Sequence, residues 1–309
     1  MSLVDDLNTF AAKQNKTPQD QAKKAIIDFA RNHDEGGNLT ASIFGALGAY
    51  QPLSESELFP LREELDNLRS ELEYKSESIF NGGELPDVAT AEKHKAKGKA
   101  EAYIRLYDKI NAPDVLPLGA IELAKKIAAN IITPFDENRV LRKSVSTPAM
   151  KWGHENEIIA LNELSEMVAR DGFTLTPLTF YALSGIGRTG ATPDFTISNG
   201  AIKIVGDIKS PLNNEVHIET ILRGNNTDQL KKDESGYYWQ FTGQMLCSGV
   251  REHWKISFNP SFPVGHPLRL HKSVMLYNEE DAAFLLSRIK MFWAHVQTII
   301  DAVEKSSSI

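Results

Sequence analysis

The apolar positions of this chain follow two rhythms, one helical and one of period two, and the change between them outlines the fold. Leu58, Leu61, Leu65, Leu68 and Leu72 recur at three and four residues, a coiled-coil-like seam two heptads long at most. Asn81-Gly82-Gly83-Glu84-Leu85-Pro86-Asp87 breaks that helix. A second helix is expected over about 89–111, which makes a helical hairpin. Thr17-Pro18 opens a helix to about Asn32, and Ala120–Ile132 reads as an amphipathic helix. A closing helix over about 279–304 packs through Phe284, Leu285, Ile289, Phe292, Val296 and Ile300. Over 154–170, Glu157, Leu161, Leu164 and Val168 recur at four, three and four, so Glu157 lies on the apolar stripe while Glu155 points to the opposite side.

Between these helices the period shortens to two. Residues 192–198 and 201–209 read as strands joined by a tight turn at Ser198-Asn199-Gly200. Ile202, Ile204 and Ile208 fall on one face with Gly206 between them, and Lys203, Val205, Asp207 and Lys209 fall on the other. Phe173–Leu183 and Trp254–Phe258 read as further strands. The expected class is α/β, a central mixed sheet flanked by helices plus a mostly helical N-terminal region containing the hairpin. Expected boundaries are 1–50 for an N-terminal helical part, 51–117 for the hairpin as an insertion, and 118–309 for the core.

The alternation also places chemistry. Asp207 and Lys209 stand side by side, and Asp194 can reach the same spot from the partner strand. Two carboxylates and a lysine suit a hard divalent cation, which wants oxygen ligands. Phosphodiester cleavage wants a metal that activates water and neutralises charge developing on the phosphate. An inward-facing Glu157 needs a partner, because burying an unpaired carboxylate is costly, and a metal held by Asp194 and Asp207 would be one. The bland readings are a surface hairpin with solvated charges and a glutamate that reaches water from the edge of its stripe.

Composition bounds the rest. A chain of 309 residues with 41% hydrophobic content can bury one large core plus an appendage. The start, Met1–Lys16, is polar, and no apolar run is long enough to span a bilayer, so a cytoplasmic setting is expected. The single cysteine, Cys247, excludes an internal disulfide and a four-cysteine iron–sulfur cluster, and sits in an apolar helix as a core residue. The net charge of −7 looks wrong for a protein that meets nucleic acid until it is mapped. Residues 51–87 hold ten acidic and three basic residues, so this segment equals the whole imbalance. Lys93, Lys95, Lys97, Lys99, Arg105 and Lys109 follow as a basic run. The two arms of the hairpin can therefore pair with each other, steer DNA, or contact another subunit.

Four motifs in order carry a family resemblance over roughly residues 118–304. Ala149-Met150-Lys151-Trp152-Gly153-His154-Glu155-Asn156-Glu157-Ile158-Ile159-Ala160 comes first. Thr192-Pro193-Asp194 and Asp207-Ile208-Lys209-Ser210-Pro211 follow, then Tyr237-Tyr238-Trp239-Gln240-Phe241-Thr242-Gly243-Gln244-Met245. Together they resemble the phage lambda exonuclease and YqaJ-type viral recombinase family of the PD-(D/E)XK nuclease superfamily. The resemblance implies a restriction-endonuclease-like core and Mg²⁺ as cofactor, with Mn²⁺ able to substitute. By position, Asp194 and Asp207 would be the principal metal ligands, the Ile208 carbonyl a further one, and Glu157 a helix carboxylate near the metal. Lys209 would orient or help deprotonate the attacking water. Gln240 would touch the water or substrate, with Gln244 one turn on as its rival for contact with DNA. The family often carries Glu where this chain has Asp207.

Asn38-Leu39-Thr40-Ala41-Ser42-Ile43-Phe44-Gly45 is similar to a family segment that binds a terminal 5′-phosphate, which gives that role to Ser42; Thr40-Ala41-Ser42 reads equally as a plain helix N-cap. The arginines expected nearby are missing: Glu35, Gly36 and Gly37 precede the segment and Glu215 follows the lysine, so another cation such as Arg223 would have to serve. The loop with Gly185, Gly187 and Gly190 puts Arg188 on DNA phosphate, but no phosphate-binding helix follows it. His154, His217 and His271 lack metal-site spacing and read as structural or exposed. The implied activity is exonucleolytic hydrolysis of duplex DNA from its ends, 5′ to 3′, in phage-type recombination beside a single-strand-annealing protein. A ring-like homo-oligomer, a trimer, is implied as well. An endonuclease of the same superfamily and a catalytically silent DNA-binding scaffold are the rivals. Glu157, Asp194, Asp207 and Lys209 together argue against the scaffold, since binding alone does not require all four.

Overall fold

In the computed structural model, residues 24, 27–28, 31–33, 36–49, 53, 55–112, 114–138 and 147–307 are described. The helix expected from Thr17-Pro18 falls largely outside them, although Ile27, Asp28, Arg31 and Asn32 are helical. The chain forms two compact units, Tyr50–Val115 and Met1–Ala49 with Leu116–Ile309.

Within the first unit, helix α1 (Glu55–Lys75) packs on α3 (Lys97–Ile110), with α2 (Val88–Lys93) between them in sequence. The second arm is therefore two helices rather than one. Lys95 at the break has a φ of 56°, a left-handed conformation that an α-helix cannot contain. Of the leucine seam only Leu72 is fully buried, with Leu65 and Leu68 packed around Ile79, Phe80, Ala91, Ala96, Ala100 and Tyr103. Acidic and basic arms meet directly at Lys99 Nζ and Glu71 Oε2, 2.5 Å apart.

The larger unit is built on a five-stranded mixed sheet in the order β2-β5-β6-β7-β8. Its strands are β2 (Thr174–Pro177), β5 (Phe195–Ser198), β6 (Lys203–Lys209), β7 (Glu252–Phe258) and β8 (Leu270–Leu276). All neighbours are antiparallel except β6 and β7, which run parallel. That parallel step needs a crossover, and α6 (Asn214–Arg223), α7 (Thr227–Asp233) and α8 (Ser235–Ser248) supply it. A three-stranded sheet joins β1 (Leu39–Thr40), β4 (Thr189–Ala191) and β3 (Tyr181–Ala182) in the order β1-β4-β3. The glycine-rich loop thus ends in a strand. The expected strand over 173–183 is two strands in two sheets, divided where Leu178 turns left-handed at φ 47°.

Helices cover both faces of the large sheet. On one side α5 (Pro148–Arg170) lies over Phe195, Ile197, Ile204, Ile208, Ile256 and Phe258. Thr147 caps it, Oγ1 accepting from the Met150 N–H, with Pro148 in the first turn. Its buried stripe is Asn156, Ala160, Leu164 and Val168. Leu164 and Val168 fall in the stripe as expected, Leu161 packs at its edge and Glu157 is half-buried; Asn156 and Ala160 complete the stripe, one polar and one small, so neither announces burial. On the other side, α8 packs with α4 (Leu118–Ile132) and α9 (Glu279–Ser307) around Val205, Phe241, Met245, Leu285, Ile289 and Phe292. Cys247 of α8 is half-buried against this core, and burial pushes its thiol up to about 12. Two glycines allow close approaches: a Cβ on Gly206 would sit 2.2 Å from the Phe195 ring, and one on Gly243 would sit 2.1 Å from Phe44. Among the described residues no helix is long and apolar enough to cross a membrane.

Candidate active site

The hairpin of β5 and β6 pairs Phe195 with Gly206 and Ser198 with Lys203. Asn199 closes its turn by accepting from the N–H groups of Ala201 and Ile202. Asp194 stands immediately before β5, and its Oδ2 accepts from the Ile208 N–H at 2.8 Å. The carboxylate is thereby tied to the strand that carries Asp207 and Lys209. The Leu178 N–H donates to the Asp194 carbonyl at 3.1 Å and holds the backbone from the other side.

Asp207 is almost wholly buried, at 1% exposure. Its Oδ1 accepts from Lys209 Nζ and from Gln240 Nε2, both at 2.9 Å. Its Oδ2 lies 3.3 Å from His253 Nε2. Lys209 Nζ is also 3.9 Å from Asp194 Oδ2, so the ammonium sits between the two carboxylates. Burial opposes ionisation of Asp207, but the Lys209 charge and the His253 hydrogen bond outweigh it and hold the carboxyl below the usual range. Asp194 moves the other way: burial first and the Asp207 charge second push it well above that range. Burial works against the Lys209 charge, yet Asp207 and Asp194 raise its affinity for the proton. Lys209 in this arrangement is a hydrogen-bond donor and a fixed positive charge.

An open cleft of about 940 Å³ gathers most of the expected residues: Ser42, Glu157, Arg188, Asp194, Asp207, Lys209 and Gln240 line it. Glu157 is half-buried on α5, where desolvation raises its proton affinity against the opposing charges of His154 and Lys209, while Glu155 is exposed. Ser42 is exposed in the cleft, its Oγ 2.9 Å from Thr40 Oγ1, and Thr40 makes no side-chain cap to the short 3₁₀ turn that follows. Arg188 is held left-handed at φ 56° and donates through Nη1 to the Gly36 carbonyl at 3.2 Å.

Two expected contacts are not in the cleft. Gln244 is buried at 1% exposure and turned to His253, its Oε1 2.7 Å from Nε2. It points into the core and does not line the cleft. Arg223 pairs with Glu234 at 3.1 Å and lines a different recess. Ile208 turns its side chain into the apolar layer, so only its backbone faces the chemistry. Of the histidines read as structural or exposed, His217 is buried and bonds Ser257 and the Leu268 carbonyl, whereas His154 is exposed and lines the cleft.

Sequence reasoning gave no role to His253, Lys255 and Glu234, and named Tyr237 only as part of a motif. Lys255 lies beside Asp207 in the parallel register, and its Nζ is 2.5 Å from Glu234 Oε2. The Tyr237 ring lies 5.4 Å from Lys209 Nζ and 5.2 Å from Lys255 Nζ. Tyr237, Lys255 and Glu234 line a second recess of about 500 Å³ that shares His154, Glu157 and Lys209 with the cleft. A signal was present: the alternation His253, Lys255, Ser257 gives a strand at the sheet centre one polar face.

Among the described residues no three His, Cys, Asp or Glu side chains converge into a ready-made metal cage. The oxygen donors at the cleft are instead the Asp194 and Asp207 carboxylates, with Glu157 on the same wall. That fits Mg²⁺, which keeps several waters and binds through one or two carboxylates plus substrate phosphates. It does not fit a closed structural zinc site.

No family model matches the chain, and no curated protein sequence matches it. Solved structures do. The chain is similar to an alkaline exonuclease from Laribacter hongkongensis, with a TM-score of 0.48 and 18% identity, over 63% of this chain and 88% of that one. A second structure of that exonuclease, in complex with dAMP, aligns with a TM-score of 0.46 and 20% identity, over 60% of this chain and 84% of that one. A phage-related exonuclease from Haemophilus somnus 129PT aligns with a TM-score of 0.46 and 14% identity, over 64% of this chain and 88% of that one.

Proposed function

We propose that the chain is a divalent-metal-dependent deoxyribonuclease that hydrolyses phosphodiesters of duplex DNA from its ends. The observation that carries this reading is the meeting of Asp194, Asp207, Lys209, Glu157 and Gln240 in one open cleft. Burial and the neighbouring Asp207 charge push the Asp194 carboxyl up, while Lys209 and His253 hold that of Asp207 down, and such a pair of carboxylates gains by taking up a cation. Asp194, Asp207 and the Ile208 carbonyl would hold Mg²⁺, with Mn²⁺ as a substitute. When bound, the metal supplies Lewis-acid stabilisation of the phosphate and a more acidic water.

The chain's own groups do the rest. Lys209 offers a fixed ammonium to the charge that grows on the phosphate oxygens. Glu157, made more basic by burial, is suited to take a proton from water at the cleft wall. Gln240 spends one amide hydrogen on Asp207, and the amide plane this fixes leaves its remaining donor and acceptor for water or substrate.

Ser42 and Arg188 line the same cleft and would receive a terminal phosphate, Arg188 serving as the cation in place of the missing arginines. On the motif resemblance we propose 5′-to-3′ degradation in a phage-type recombination setting with a single-strand-annealing partner. It is compatible with a ring-like homo-oligomer. The reading is tested by digesting end-labelled linear duplex beside a covalently closed circle, with Mg²⁺ and with EDTA. Mg²⁺-dependent release from linear ends, with the circle intact, is expected. Rapid cutting of the circle would transfer the assignment to an endonuclease.

A further inference from the structure

An aspartate carboxylate has a broad, roughly two-fold terminal torsion, so its rotamer alone does not aim its oxygens. Inside a protein, hydrogen bonds fix the plane. Asp207 receives two donors on Oδ1, from Lys209 and Gln240, and Oδ2 faces the single nitrogen His253 Nε2. Without that nitrogen, a buried carboxylate oxygen would lose its donor, which costs more than a neutral group in the same position.

The identity of the proton on His253 follows from its surroundings. An ionised Asp207 only accepts, so Nε2 must carry hydrogen to face it. The opposite nitrogen, Nδ1, is buried and finds no hydrogen-bond partner among the described residues. A bare acceptor there is tolerable, whereas a buried orphan N–H is rare in folded proteins. The Nε2–H is held between Gln244 Oε1 at 2.7 Å and Asp207 Oδ2 at 3.3 Å. The ring itself is stacked on Phe241, with centroids 4.1 Å apart and planes 19° apart.

One turn of α8 therefore reaches Asp207 by two routes. Gln240 bonds Oδ1 directly, Phe241 supports the His253 ring, and Gln244 holds the Nε2–H that faces Oδ2. We propose that His253, braced by Phe241 and Gln244, is a positioning residue that fixes the Asp207 carboxylate for cation binding. The proposal rests on the metal reading above. It gives the two glutamines separate tasks, one in the cleft and one beneath it. Outer partners of this kind commonly change metal affinity by about 10–100-fold when removed.

The test is a calorimetric titration of the full chain with Mn²⁺ in the absence of DNA, beside thermal melts of each apo protein. His253→Phe keeps the stacked ring and removes the donor; His253→Gln returns a donor near the position of Nε2; Gln244→Met keeps the volume and removes the brace. We expect His253→Phe to weaken Mn²⁺ binding by about tenfold or more. His253→Gln should recover most of that loss and Gln244→Met should lose less. A folded His253→Phe protein with unchanged affinity would overturn the proposal. So would equal losses in all three variants that merely track their melting temperatures. If the unaltered protein binds no Mn²⁺, the metal reading fails first and this inference with it, a result distinct from either of those.

Discussion

The two faces of the five-stranded sheet are made by the same strands and could hardly differ more. Under α5 the strands present Phe195, Ile197, Ile204, Ile208, Ile256 and Phe258, a dry layer in which nothing needs a partner. On the face toward α8 the same strands present Thr196, Asp207, His253, Lys255, Ser257 and Ser273, all buried. An ordinary core would place apolar residues there, because buried polar groups add stability only when fully satisfied. Here Lys255 pairs with Glu234, Ser257 with His217 and His253 Nε2 with Gln244, while Ser273 Oγ and His253 Nδ1 find no partner among the described residues, and charge crowds at Asp207. Two carboxylates share one ammonium, with Asp194 pushed above and Asp207 held below the ordinary range. The lesson is that one face holds the sheet together and the other holds charge in readiness.

The strongest way to break this comparison is to remove the charge without disturbing the scaffold. Lys209→Ala should lower turnover by about a hundredfold or more while DNA binding persists, because it withdraws stabilisation made in the transition state. Single-turnover kinetics beside an anisotropy titration check it, and near-normal turnover would remove Lys209 from the chemistry. The mirror experiment is Ile256→Ala on the dry face. It should cost about 2–5 kcal/mol of stability in a denaturant melt and leave turnover per folded molecule unchanged.

Smaller effects sharpen the picture. Glu157→Ala should reduce activity by about 10–100-fold, and Glu155→Ala hardly at all; the reverse order in parallel rate assays would mean α5 presents a different face. Arg188→Ala should narrow any preference for 5′-phosphorylated over 5′-hydroxyl duplex by up to about fivefold, the range of an exposed charge contact.

The last prediction concerns pH, and Asp194 and Asp207 carry opposite signs. The folded-state pKa of Asp194 is raised, so its contribution to stability is full below the unfolded carboxylate value of about 3.9 and is lost as pH rises through the folded value. That of Asp207 is lowered, so its contribution is present above the unfolded value and is lost as pH falls through the folded one. Asp194→Asn in EDTA should therefore raise the melting temperature at pH 8 more than at pH 4. No difference between the two pH values would show that the crowding of the carboxylates costs nothing.

Much of this site was legible because it is local. Asp194, Asp207 and Lys209 lie on one hairpin, closed by a short turn at Asn199-Gly200, and period-two alternation is enough to set Asp207 and Lys209 side by side. The closing helix was legible for the same reason. What was hidden depends on distant packing. His253 meets Asp207 across 46 positions of sequence, through the parallel pairing of β6 and β7. Gln244 looked like a ligand contact because helical spacing sets it above Gln240, yet its bond to His253 turns it into the core and leaves Gln240 at the cleft. The break at Leu178 follows directly on Pro177, a strand-ending signal that the reading of one strand over 173–183 passed over, and the buried stripe of α5 includes an asparagine whose Nδ2 donates to the Trp152 carbonyl at 2.8 Å.

The central claim is that the polar face of the sheet is a metal-dependent phosphodiesterase site centred on Asp207. It is tested most directly by nucleotide release from linear duplex DNA, measured for the unaltered protein in Mg²⁺ and in EDTA and for Asp207→Asn in Mg²⁺. The account predicts release only by the unaltered protein with Mg²⁺, with both other reactions lower by about a hundredfold or more. Comparable release in EDTA, or by a folded Asp207→Asn protein, would contradict it.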